Sequence, residues 1–134
     1  IVQNNFGLLV NWTVFDSGAT RGRRLEALAR SMLDGLAVWG RELGRPGGER
    51  SPRVLAHEAA RCDRLAGWWE ARELDHPLMQ GPLNMAQITL VCALGMEVRN
   101  PDLHWRPGHP TLSAWYERMA ARPSLVATAP PPLH

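Results

Sequence analysis

Arg30, Asp34, Val38, Arg41 and Arg45 follow one another at steps of three or four residues, the interval at which side chains stack along one side of a helix. The face they would share is cationic, and such a face can hold an anionic ligand. The simpler reading, which is preferred, is a solvated surface with one Arg30–Asp34 pair worth about 0.2–0.5 kcal/mol, although the spacing serves both. The other chemistry-bearing residues are less well arranged. His57-Glu58 is followed by Arg61-Cys62 rather than by a second histidine four residues on, and His104 and His109 flank a proline turn without cysteine partners, so no metal-ligand pattern emerges. The glycines from Gly44 to Gly48 follow an expected helix rather than a strand and lack a lysine, which excludes a phosphate-cradling loop of the P-loop kind. No nucleophile elbow is present. Cys62 and Cys92 fall in separate expected helices with apolar neighbours; without a Cys-x-x-Cys or disulfide spacing, both are expected to be reduced, buried thiols.

Composition narrows the class. At 134 residues the chain is one domain of ordinary size, long enough to bury a core without disulfide or metal staples. A hydrophobic content of 45% with 21% charged residues argues against disorder over most of the length. Six tryptophans against one tyrosine and two phenylalanines supply rings that fill cores or interfaces. All 15 basic residues are arginines interspersed with 13 acidic ones. The net charge of +2 is far from the concentrated basic surface that nucleic-acid binding needs. The longest nearly apolar run, Ile88 to Met96, is roughly half of what a membrane span requires. Neither nucleic acid nor a membrane is expected as a partner. The chain opens at Ile1 rather than at a methionine, which points to a fragment, a processed start or an unusual gene product. No charged-then-apolar signal peptide opens it, so a cytoplasmic protein is expected.

The elements that must position these residues are helical. Leu25, Leu28, Ala29, Met32, Leu36, Trp39 and Leu43 recur at helical spacing and predict a long amphipathic helix over 21–43, stopped by Gly44-Arg45-Pro46-Gly47-Gly48. Ser51-Pro52 reads as an N-cap followed by proline at the first helical position, opening a helix to about Leu74. On it Leu55, Glu58, Cys62, Leu65 and Trp69 share a face. Trp68 and Trp69 lie about 100° apart on such a helix and cannot both face inward; one of them marks an interface or the seat of the N-terminal segment. After His76-Pro77 and Gly81-Pro82, the spacing of Asn84 and Gln87 predicts a capping box. The helix it starts, Met85 to about Val98, is apolar almost all round and is expected to be buried on every side as the core of the domain. Asn100-Pro101 ends it, Arg106-Pro107-Gly108 turns the chain, and Pro110 opens a further helix with Leu112, Trp115 and Met119 along one face. Leu8, Leu9, Val10, Trp12 and Val14 fit a short strand or a packed helix equally, and Pro130-Pro131-Pro132 cannot be helical.

The run Gly81-Pro82-Leu83-Asn84-Met85-Ala86-Gln87 resembles the segment that opens the buried central helix of the C-terminal domain of glutathione S-transferases. Asn84 and Gln87 stand where a hydroxyl residue and an aspartate are usual in that family. His109-Pro110, Leu112 to Trp115, Ala121-Arg122-Pro123-Ser124 and Thr128-Ala129-Pro130 follow in the order in which bacterial members end. The resemblance covers about residues 21–130 and implies an all-α helical bundle with a buried central helix. It leaves 1–20 as an N-terminal segment of unassigned structure and 131–134 as a tail.

The same resemblance implies glutathione conjugation or a related thiol transfer, with glutathione as co-substrate and a small electrophile as the second substrate. The helical domain would contribute the electrophile pocket through Asp34, Val38, Arg41 and Arg45, together with a dimer surface. Asp34-Gly35 matches a pair common on that helix, whereas Val38 replaces an acidic residue found there in some classes. The thiol-activating donor belongs to a thioredoxin-like half absent from this sequence, so no catalytic residue is assigned, and the chain alone is expected to be inactive. A homodimer or a thioredoxin-like partner domain is expected. Two other readings stay open: a non-catalytic interaction module of the same fold, as in translation factors and synthetase assemblies, and a degenerate remnant.

Overall fold

Leu25, Ala29, Met32 and Leu36 are buried along one side of the first helix, which carries the candidate cationic face. The computed structural model describes residues 2–131, with side chains from Thr20 onward, and α1 spans Val2–Leu43. The helix thus starts well before the expected residue 21 and crosses that point without a break. The first proline of the chain is Pro46, so nothing before it removes a backbone donor from the ladder. Leu8, Leu9, Val10, Trp12 and Val14 lie in this helix, and their side chains are outside the described residues. Residues 132–134 of the expected tail, Pro132 among them, also lie outside.

After a single 3₁₀ turn at Gly47–Glu49, α2 spans Pro52–Trp68, with Ser51 Oγ accepting from the Val54 amide at 3.4 Å. It packs along α1 and continues as one π turn, Trp69–Glu73. Such a turn shifts the register of the side chains that follow. Trp69 becomes fully buried at 1% exposure while its neighbour Trp68 stays 44% exposed. Two carboxylates of this turn meet remote partners. Glu73 pairs with Arg24 of α1 at 2.7 Å, and Glu70 accepts from the amides of Thr111 and Leu112 at 2.9 and 2.7 Å. Glu70 therefore supplies the cap for α5, which spans Pro110–Ala120. Desolvation pushes the Glu70 carboxyl up, but the Leu112 and Thr111 donors outweigh it, and the group ionises below the ordinary glutamate value. Its contribution to stability is present above the unfolded-state pKa and is lost as pH falls through the lowered folded value.

The short α3, Pro77–Gln80, leads to α4, Met85–Leu94, which is prolonged by a 3₁₀ turn over Gly95–Val98. Asn84 Oδ1 accepts from the Gln87 amide and Gln87 Oε1 from the Asn84 amide, both at 3.1 Å. α4 packs chiefly on α1, with Leu90, Ala93 and Leu94 fully enclosed. It is not buried on every side as its composition predicts. Met85 is 55% exposed, and Cys92 and Val98 are exposed as well, because no element among the described residues covers that flank.

Trp105 and Trp115 close the core from the C-terminal side, each buried with its indole N–H satisfied: Trp105 donates to Leu94 O at 3.0 Å and Trp115 to Met79 O at 2.9 Å. The connection to α5 turns at Arg106-Pro107-Gly108-His109, where Gly108 takes φ +81° and the His109 amide returns to Arg106 O. Proline second and glycine third is the pattern of a type II turn. α6, Pro123–Ala127, ends the ordered helices. The described residues form an all-α bundle around α4.

Replacing Asn84 by alanine leaves the amide of buried Gln87 without its acceptor and is expected to lower stability by about 0.5–2 kcal/mol. Equilibrium denaturation measures it, and an unchanged midpoint would remove the cap from the account.

Candidate functional site

The residues expected to bind an electrophile sit on the C-terminal half of α1 and just beyond it. Asp34 and Arg41 are exposed and Val38 is half-buried, so these three present one flank of the helix to solvent. Arg45 falls after the helix and is engaged there. Its Nη1 lies 3.6 Å from Glu42 Oε1 and donates to Glu49 O, which makes Arg45 part of the turn before α2. Arg41 has no carboxylate partner among the described residues. It is therefore the cation on this flank most available to an anionic ligand.

Arg30 does not pair with Asp34. Its Nη2 lies 3.4 Å from Glu26 Oε1. Both carboxylates stand four residues away, but an acid placed N-terminal to the base is the better orientation on a helix, and the longer glutamate reaches further. Asp34 is left to solvent beside Gly35, which lies against α2. A Cβ on Gly35 would come within 3.0 Å of Glu58 Oε2. Glu58 is only 7% exposed, and that oxygen makes no hydrogen bond; Arg61 Nη1 stands 3.6 Å away while Arg61 Nη2 donates to Ser31 O and Oγ. The Asp34-Gly35 step thus lets α1 and α2 approach closely around a buried carboxylate, which fixes the backbone beneath the exposed flank.

A second feature, which the sequence reading did not find, lies along the open flank of α4. A groove of about 480 Å³ runs between α4, α5 and α6, lined by Val91, Cys92, Met96, Tyr116, Leu125 and Pro130 among others, and it is mostly apolar. Its signal in the sequence is the all-round apolarity of α4, which does not say which sides the chain itself covers. Cys92 is exposed at this groove, contrary to the expectation of a buried thiol, whereas Cys62 is buried between α2 and the core. Burial, followed by the charge of Asp63, pushes the Cys62 thiol up to about 12. Tyr116 is raised too, by desolvation first and then by Glu97, against the opposing charge of Arg106. Arg106 itself bridges Glu97 and Glu117 and stacks over the rings of Trp105 and Tyr116 at 4.7 and 5.2 Å, which holds the wall of the groove rigid.

His57, Glu58, Arg61 and Cys62 converge on no ion site, and no group of three or more His, Cys, Asp or Glu among the described residues could hold a metal. No helix among them is long and apolar enough to cross a membrane.

A capped, enclosed central helix inside an all-helical bundle defines a class of domain, and the comparisons with known proteins agree on which. No family model matches the chain. In sequence it is 30% identical over 112 residues to the glutathione S-transferase-like protein YibF of Escherichia coli K12, an alignment covering 83% of this chain and 55% of that protein. In structure it is similar to a glutathione transferase family member of Pseudomonas fluorescens Pf-5 with bound glutathione, with a TM-score of 0.71 and 34% identity over 81% of this chain and 53% of the other. A glutathione S-transferase of Methylobacterium radiotolerans in complex with glutathione sulfonate gives 0.69 and 28% over 88% and 57%. These similarities, over 81–88% of the chain, are all to glutathione S-transferases or proteins like them, and the all-α bundle fits the helical C-terminal type of domain of that family. The chain spans about half the length of these relatives.

The different settings of the two cysteines lead to a simple outcome. In the native protein one thiol, Cys92, is expected to react promptly with an aromatic disulfide reagent near neutral pH, and the second only after denaturation. Mass spectrometry of the labelled peptides checks the order, and equal reactivity of Cys62 would contradict its burial.

Proposed function

We propose that this domain is the helical half of a glutathione-dependent transferase. The exposed flank of α1 at Asp34, Val38 and Arg41, with Arg45 at its end, receives the small electrophile, and a thioredoxin-like domain seats on the groove along α4. The observation that carries the proposal is the open flank of α4: an almost wholly apolar helix, central to its own bundle, leaves Cys92 and Val98 uncovered, and a chain that spans only about half of its glutathione S-transferase-like relatives has room for a further domain there. Burying such a flank against a partner removes apolar area from water at about 25 cal/mol per Å².

In this reading the work is divided between the two halves. The partner domain lowers the pKa of the glutathione thiol, which gives its proton to solvent, and the thiolate forms a C–S bond to the electrophilic carbon as the bond to the leaving group breaks and that group departs as an anion. The helical domain orients that electrophile. Arg41 attracts negative charge, from the glutathione carboxylates or from charge developing on the electrophile, and Val38 supplies an apolar contact beside it. Trp68, exposed between the guanidiniums of Arg24 and Arg72 at 5.9 and 5.1 Å, suits a second copy of the enzyme, which makes a homodimer the expected assembly. The reaction belongs in a reducing cytoplasm, where glutathione stays a thiol and electrophiles are removed.

The test is reconstitution. The 134-residue chain alone is expected to give no conjugation of an aromatic halide with glutathione. Mixed or fused with the thioredoxin-like domain of an active glutathione transferase it is expected to turn over, and Arg41→Glu in that assembly to lose about ten- to a hundredfold in kcat/KM, the size of one lost charge-assisted contact. Turnover by the chain alone would show that no second half is needed. A stable complex without turnover would favour a non-catalytic interaction module.

A further inference from the structure

A polar pocket of about 180 Å³ opens where the end of α5 meets α3. Gln80, Arg118 and Arg122 wall it, and the buried side chains of Met79, Trp115 and Met119 form its floor. No carboxylate lines it. Neither arginine stands in an ion pair with a carboxylate among the described residues, and what distinguishes these two is that they line one pocket together. Arg122 is half-buried and held in place by one N–H, its Nη2 donating to Gly81 O at 3.3 Å, which leaves its other donors free. Gln80 is fixed at the rim by the bond from Nε2 to Leu74 O.

Two guanidiniums on one pocket, one from the last turn of α5 and one from the residue before α6, over an apolar floor that shuts water out from below, favour a compact and multiply charged oxyanion. Guanidinium forks match the oxygen spacing of a phosphoryl group, and the low-dielectric floor strengthens the attraction above its value in open water. The volume admits one such group with little else. We infer that this pocket is an oxyanion site that takes a phosphate group, free or at the end of a small phosphomonoester. It does not depend on the transferase reading. Leu78 of α3 lies against Gly22, where an added Cβ would meet Leu78 Cδ1 at 3.5 Å, and Gly22 is about 28 Å along α1 from Arg41. Phosphate bound here leaves the α1 flank free.

The competing explanation is structural: Arg118 stands in the last turn of α5, where a cation offsets the helix dipole, and Arg122 braces the loop at Gly81. Isothermal titration of the full chain with inorganic phosphate, and separately with phenyl phosphate, at constant ionic strength with chloride as control, separates the two. The expected result is saturable binding at one site, weakened tenfold or more by Arg118→Gln, an exposed position whose change leaves the phosphate-free melting temperature nearly unaltered. Arg122→Lys, which keeps the charge and reach but loses the fork, is expected to weaken it as well. Binding of phosphate without phenyl phosphate assigns the site to the free ion, and tighter phenyl phosphate binding assigns it to a phosphomonoester. Heat no greater than with chloride, or undiminished affinity in Arg118→Gln, would overturn the site and leave both arginines as braces.

Discussion

An apolar helix enclosed by its neighbours has to begin somewhere, and its first amides have no carbonyl one turn back to receive them. α4 meets this constraint with two side chains. Gln87 is entirely enclosed at 0% exposure, and both ends of its amide are used, Oε1 accepting from the Asn84 amide and Nε2 donating to Gly81 O. Asn84 accepts from the Gln87 amide and donates onward to Leu78 O and Pro82 O. A fully satisfied buried network of this kind specifies one geometry, whereas a partly satisfied one would cost more than it gains. The network ties the loop from Leu78 to Pro82 to the start of the helix, so the approach of the chain and the direction of α4 are set together.

The other helix ends follow the same logic with more distant donors and acceptors. Glu70, in the π turn, receives the first amides of α5; Trp105 reaches the last turn of α4 at Leu94 O; Trp115 reaches Met79 O at the end of α3. Each link joins elements far apart in the sequence, and each uses a large or charged side chain whose burial would otherwise be unfavourable. The bundle is thus registered at its ends as well as packed along its sides. The rigidity this gives α1 and α4 lets one helix offer a fixed polar flank and the other a fixed apolar groove.

Local pattern made part of this architecture legible in the sequence. The stripe from Leu25 to Leu36 and the face of Leu112, Trp115 and Met119 recur within one or two turns, so periodicity alone places them inside. Asn84 and Gln87 are equally local, three residues apart, and their mutual bonds follow from that spacing. The π turn at Trp69–Glu73 could not be read, because the groups its carboxylates meet, Arg24 on one side and Thr111 and Leu112 on the other, are remote in sequence. Nor could the partner of Arg30, since Glu26 and Asp34 are equidistant in sequence and orientation decides between them. The exposure of Cys92 escaped for a third reason: an apolar run reports that every side avoids water, but not whether this chain or another supplies the cover. As for the α1 flank, spacing places Asp34, Val38 and Arg41 together and the glycines and proline from Gly44 to Gly48 put Arg45 past the helix, while its engagement by Glu42 and by Glu49 O belongs to the folded turn.

The central claim is that α4 is the enclosed, pinned axis on which the domain is assembled. Native-state amide hydrogen exchange addresses it residue by residue. The account predicts that the amides of Leu90 to Leu94 exchange slowest in the chain, at rates set by global unfolding, with the Gln87 amide protected at the start of the helix and α6 exchanging far sooner. Exchange in α4 as fast as in α6 would contradict it.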